Sequence, residues 1–155
     1  MFLNIKKNKK DKEQIIDLTI LYASAIDDSN WILFDQIFTD DATALIFEKY
    51  IIGKNNIRNH IEKSVGLLYS QHMISNHKIS INKIDAICEC YFQAYHFKEK
   101  KHDSPYHLLL GKYKDSLSKI DNTWKITHRE LIPLWSSGQR MIIPQKIIKI
   151  PDALK

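Results

Sequence analysis

From Ser70 to Leu134 the chain reads as an almost unbroken run of strand-length segments, and that run limits the fold more than any other feature. Segments 70–83, 85–99, 105–119 and 123–134 are joined by Asn82-Lys83, by a charged loop from Lys100 to Pro105, and by the Asp121-Asn122 pair. Tight joints of this kind favour antiparallel hairpins, and Asp-Asn supplies the left-handed backbone that a two-residue turn requires. In the second segment Ala86, Cys88, Cys90, Phe92, Ala94 and His96 share one face by the two-residue period, while Glu89 and Gln93 mark the solvent side with Tyr91 and Tyr95. The inner row is mostly small, which leaves space beneath the sheet.

Upstream the period changes. Ile15, Leu18, Tyr22, Ala25 and Ile26 fall at helical spacing, with Asp11 and Gln14 arranged as a capping box, so a first helix is predicted over roughly 11–28. A shorter helical piece follows, with Trp31, Phe34 and Phe38 toward the core, and Thr39-Asp40-Asp41 is expected to break it. Residues 42–47 and 50–52 read as strands closed by Gly53, and Ile57, Ile61 and Val65 give a third helix. Helices first and antiparallel strands after them predict an α+β domain, a curved sheet wrapped over a helical layer.

The 155 residues suit one such domain. The formal charge of +5 is drawn largely from Lys6, Lys7, Lys9, Lys10 and Lys12, so residues 1–10 are expected to form a basic flexible arm. With only Arg58, Arg129 and Arg140 available for phosphate or base readout, nucleic acid is not an expected partner. No stretch reaches the ~18 apolar residues of a membrane span, no secretory apolar core follows Met1, and the cytoplasm is the expected address. Cys88 and Cys90 read as small buried residues, no Cys/His spacing suggests zinc, and neither metal nor cofactor is expected. The domain proper is placed at 11–135. The tail 136–155 carries Ile142, Ile143, Ile147, Ile148 and Ile150, and is expected to pack on the body or on a partner subunit.

Two polar residues stand out by position. Advancing about 100° per residue from Ile15 places Asp27 at about 120°, between Ile16 and Ile20 on the covered side. A carboxylate aimed at apolar surroundings tends to a raised pKa and suits acid–base work, although Asp27 could equally cap the next helix. In the segment from Ser70, His72, Ile74 and Asn76 share a face; Ile79 and Ile81 belong to the other phase, so a bulge is expected near 77–78. Gly111, Tyr113 and Asp115 share a face further on, and Arg129 is out of phase with Trp124 unless a bulge intervenes.

The ordered set Tyr22-Ala-Ser-Ala-Ile-Asp27, Asn30-Trp31, Phe34, Phe38-Thr-Asp-Asp41, Gly53, Ile57-Arg58, Ser70-Gln-His72, Asn76, Gly111-Lys-Tyr113-Lys-Asp115 and Trp124-Lys-Ile126-Thr-His-Arg129 resembles SnoaL-like proteins of the nuclear-transport-factor-like superfamily. The resemblance spans about 11–135. It implies a cone-shaped, curved, mainly antiparallel sheet packed on three N-terminal helices around an internal pocket. It also implies an Asp–His pair at Asp27 and His72, with Tyr22 as electrophilic assistant. His96, Asn76, Arg129, Phe92, Tyr113 and Phe34 are the expected substrate-binding residues. The expected activity is that of a cofactor-independent lyase or isomerase, a dehydratase-type enzyme acting on a small hydrophobic hydroxy or carbonyl compound. A homodimer or homotrimer is the expected assembly. The alternative is a non-catalytic domain that binds a ligand or stabilises a partner enzyme.

Overall fold

A computed structural model describes residues 2–139, with side chains from residue 8 onward. Helix α1 (Phe2–Asp27) is followed by a 3-10 turn (Trp31–Leu33), the one-turn helix α2 (Phe34–Ile37), strands β1 (Phe38–Ile46) and β2 (Lys49–Ile52), and helix α3 (Lys54–Val65). Four strands complete the fold: β3 (Tyr69–Asn82), β4 (Asp85–Phe97), β5 (Tyr106–Ile120) and β6 (Thr123–Gly138). All six form one curved, unclosed sheet in the order β2-β1-β6-β5-β4-β3. Every neighbouring pair is antiparallel except β1 and β6, which run parallel.

The hairpin signals act where expected. Asp121 and Asn122 both take positive φ, 48° and 62°, between β5 and β6. The row Ala86, Cys88, Cys90, Phe92, Ala94 and His96 is buried, while Tyr91 and Tyr95 are exposed on the outer face. In β3 the register shifts between Ser75 and Lys78, so Asn76 and His77 bulge and the inward phase passes from Ile74 to His77. Nε2 of His77 then lies 2.8 Å from the Thr19 hydroxyl on α1, which ties the helix to the strand.

A second shift lies between Ser116 and Leu117 of β5, opposite a bulge at Thr127. That bulge settles the phase of Arg129: Trp124, Ile126 and Arg129 are all buried on the same side. The core fills the space between α1 and the concave face, with Ile15, Phe34, Phe38, Phe92, Leu117 and Trp124 among its members.

Three expectations need correction. Helix α1 begins at Phe2, so the basic segment expected as a flexible arm continues the helix. Asp11 is therefore inside α1 instead of capping it; it is buried, and its carboxylate accepts hydrogen bonds from Lys119 Nζ and Trp124 Nε1. Thr39-Asp40-Asp41 does not separate helix from strand, because β1 already starts at Phe38. Residues 140–155, and with them most of the apolar tail, lie outside the described residues.

Candidate functional site

Helix α1 ends at the point where a carboxylate is needed. Asp27 is its last residue, and Ser29 in the left-handed region turns the chain away while Asn30 N–H donates to Ala25 C=O. Facing it, His72 on β3 offers two donors to one carboxylate. Its backbone N–H donates to Oδ2 of Asp27 at 2.8 Å, and its ring Nδ1 lies 2.6 Å from Oδ1. Asp27 is therefore committed to His72, and the next helical turn, capped at Asn30, makes no side-chain cap hydrogen bond.

Burial works against the charge on Asp27, but the His72 ring, its charge, its backbone N–H and the Ser70 hydroxyl together hold the carboxyl below its ordinary 3.8. The raised pKa expected from the helix position is thus reversed. What lies on the covered side is a ring of donors, not hydrocarbon alone. An ionised carboxylate can only accept, so Nδ1 of His72 carries hydrogen and Nε2 holds the lone pair of the neutral ring.

His72 belongs to the wall of a cavity. The cavity volume is about 110 Å³, and His72, Tyr22, Phe92, Ala94, His96 and Tyr113 form one part of its wall. The remainder comes from β1, β2, α3 and the far side of the sheet, including Ile46, Phe47, Ile61, Leu109 and Leu131. The wall is predominantly apolar, which suits a hydrophobic ligand with few polar groups. Phe47, in the β1–β2 turn, holds φ of 48°, a conformation uncommon for a bulky residue.

Next to His72 lies a row of imidazoles from adjacent strands. The His96 ring on β4 is 5.4 Å from that of His72, edge on, and the His107 ring on β5 is 6.5 Å from His96. Burial, then the charges of His72 and His107, push the pKa of His96 down to about 3, so this ring is neutral at physiological pH. Its Nδ1 is buried with no hydrogen-bond partner among the described residues. Among those residues no group of three His, Cys, Asp or Glu side chains is placed to hold a metal ion, and no helix is long and apolar enough to cross a membrane.

Behind the cavity wall, Arg129 forms two hydrogen bonds to Asp115, Nε to Oδ1 at 2.7 Å and Nη2 to Oδ2 at 2.6 Å. The pair is almost fully buried, with 1% and 0% side-chain exposure. The guanidinium rests on the Tyr22 ring at 3.9 Å and the Tyr113 ring at 4.3 Å. Burial raises the pKa of Tyr22 above its ordinary 10.0 against the opposing pull of Arg129, so its hydroxyl stays protonated and can donate.

Of the residues expected to bind substrate, His96, Phe92 and Tyr113 line the cavity. Three do not. Arg129 is consumed by Asp115 and supports the tyrosines from behind. Phe34 is buried beneath Tyr22, at 5.8 Å between ring centroids, and lies in the core. Asn76 takes a positive φ at the β3 bulge and is exposed.

Lys49, His60 and His107 line the cavity without having been singled out from the sequence. His107 precedes Leu109 by two, and His60 follows Ile57 by three, so periodicity carried a signal for both. Lys49, beside a hairpin turn, carried none.

The SnoaL-like domain model matches residues 9–130. The chain belongs to the SnoaL-like domain family. Its sequence is 26% identical over 134 residues to terrestric acid biosynthesis cluster protein E of Penicillium crustosum, covering 83% of this chain and 86% of that protein. Its fold matches that of a scytalone dehydratase candidate from Novosphingobium aromaticivorans with a TM-score of 0.78 at 20% identity, over 94% of this chain and 99% of the other. A hexachlorocyclohexane dehydrochlorinase from Novosphingobium barchaimii gives a TM-score of 0.74 at 13% identity, covering 93% and 97%. At these identities the structural likenesses bear on the fold.

Proposed function

We propose that this SnoaL-like protein is a lyase or isomerase of the dehydratase type, using side chains alone to move protons on a small hydrophobic hydroxy or carbonyl compound. The observation that carries the proposal is the 2.6 Å contact between Asp27 and the His72 ring at the wall of an apolar cavity. Besides stabilising the fold, the carboxylate fixes the tautomer of a histidine on the cavity wall and leaves the Nε2 lone pair to take a proton. The names of two proteins with the same fold, a scytalone dehydratase candidate and a dehydrochlorinase, agree with an elimination chemistry.

In this mechanism Nε2 of His72 takes a proton from the carbon beside a carbonyl, and Asp27 stabilises the imidazolium that forms. The C–H electron pair becomes the new double bond as the hydroxyl on the next carbon departs. The imidazolium returns its proton to that hydroxyl, which leaves as water. The Tyr22 hydroxyl and the neutral His96 ring donate hydrogen bonds to the oxygen on which negative charge develops. Apolar walls at Phe92, Leu109 and Ile46 exclude water from the reacting carbon.

The test is a panel of β-hydroxy ketones and β-hydroxy esters in D2O, followed by NMR for deuterium entry beside the carbonyl and for loss of water. The native protein is expected to turn over at least one class, and His72→Ala to lower that rate by roughly 10²–10⁴-fold. Unchanged turnover in His72→Ala would remove the assigned role. Binding of panel members without exchange or elimination would favour a non-catalytic ligand domain.

A further inference from the structure

The cavity wall has a one-sided ionisable lining. Lys49, His60, His72, His96 and His107 all contribute to it, and among the described residues no Asp or Glu does. Asp27, which contacts the wall residue His72, is engaged by that residue's backbone N–H and ring. Lys49 on β2 and His60 on α3 meet at the cavity, with Nζ 3.4 Å from Nδ1 of the ring. The ion pairs of the described residues engage Lys9, Lys54, Lys101, Lys119 and Arg129, and Lys49 is in none of them.

The chemistry of this contact is directional. An ammonium can only donate, so Nδ1 of His60 accepts and its Nε2 must carry the hydrogen. Burial, and then the charge of Lys49, push His60 below its ordinary 6.5, consistent with a neutral ring held in that tautomer at neutral pH. Lys49 retains two further N–H donors, and His60 adds one. Together they form a cationic, donor-only clasp beside an apolar cavity. In the sheet β2 and β3 are opposite edge strands, so the clasp and the Asp27–His72 pair approach the cavity from different sides.

We propose that Lys49 and His60 bind an anionic group of the ligand, so that the compound received by this site is an apolar acid, carrying a carboxylate or an acidic enol. The inference deepens the proposed function and rests on it in taking this cavity as the substrate site. A neutral amide of the same shape leaves the ammonium without its counter-charge. An anion there gains charge-assisted hydrogen bonds beside the apolar cavity, where Lys49 is exposed and His60 half-buried. The opposite end of the same molecule is then left to Nε2 of His72.

The experiment is calorimetric titration of the full chain at pH 7.5 with two matched probes, 2-naphthoate and 2-naphthamide. The carboxylate is expected to bind about tenfold more tightly than the amide, the size of one hydrogen bond to a charged group. Lys49→Gln should remove that preference while leaving amide affinity unchanged, and the unchanged amide binding reports an intact cavity. His60→Leu should remove part of it. Equal affinities on the native protein, or no binding of either probe, overturn the inference, as does a preference that survives in the Lys49→Gln/His60→Leu variant. Preference lost in His72→Ala but kept in Lys49→Gln would put the anion at the Asp27–His72 pair, overturning the clasp while leaving the proposed proton transfer intact. Preference lost in Lys49→Gln, with turnover unchanged in His72→Ala, supports the clasp and removes the chemistry.

Discussion

Asp115→Ala should be among the most damaging single changes in this protein, and its cost can be worked from the surroundings of Arg129. The guanidinium is 1% exposed, and both of its hydrogen bonds to oxygen end on Asp115, with Nη1 buried and without a hydrogen-bond partner. Removing the carboxylate takes away its counter-charge and leaves a buried cation against the rings of Tyr22, Tyr113 and Phe38. Breaking a buried pair in this way costs about 3–5 kcal/mol, a large part of the roughly 5–15 kcal/mol that holds a domain together. With an urea m-value of about 2 kcal/mol/M, the midpoint should fall by about 2 M. Equilibrium urea unfolding followed by tryptophan fluorescence measures it. The double variant Asp115→Ala/Arg129→Met removes the stranded charge as well and should recover at least about 2 kcal/mol over Asp115→Ala. A loss below about 1 kcal/mol in the single variant, or additive losses in the double, would refute the reasoning.

Gly111→Ala would place a Cβ 2.5 Å from Cζ of Phe92 and 2.7 Å from the Ile132 carbonyl, so the ring that stacks on Tyr113 must move. A loss of about 1–3 kcal/mol in thermal unfolding, with a changed near-UV dichroism of the aromatic cluster, is expected. Asp27→Asn should destabilise the fold by about 1–2 kcal/mol at pH 7 through its weakened bonds to His72. Because the folded carboxyl lies below its ordinary 3.8, its stabilisation is present above that value and is lost as pH falls through the lower folded pKa. The gap between native and Asp27→Asn urea midpoints should therefore close in acid, and a gap that widens there would contradict the direction of the shift.

Most of the fold was legible because its signals are local. Alternation along β4 placed His96 and Phe92 on the inner face, and helical spacing placed Tyr22 and the covered side of α1. The Asp121-Asn122 turn followed from two residues that tolerate positive φ. The bulge in β3 showed itself as a phase conflict between His72 and Ile79, although it falls at Asn76 and His77 and so turns Asn76 outward. The pairing of Arg129 depends on register between strands. Asp115 and Arg129 are cross-strand partners only because Thr127 bulges, and alternation along either strand alone cannot count that extra residue. Asp11 was misjudged for a different reason. A capping pattern and a buried acceptor for Trp124 look alike until the preceding residues are known to be helical.

The Asp27–His72 pair combines both kinds of information. Helical phase alone put Asp27 on the covered side, and from there burial argues for a protonated acid. The direction reverses because the strand it meets presents its His72 backbone N–H and ring Nδ1 to the two carboxylate oxygens. Apolar neighbours within α1 therefore gave the correct location and the wrong charge state. That distinction bears on the proposed chemistry: a protonated Asp27 could itself donate a proton, whereas an ionised one can only orient and stabilise His72, leaving the proposed proton transfer to Nε2. The imidazole is the group whose removal should stop turnover, and the carboxylate is the group whose neutralisation should slow it while the ring remains in place.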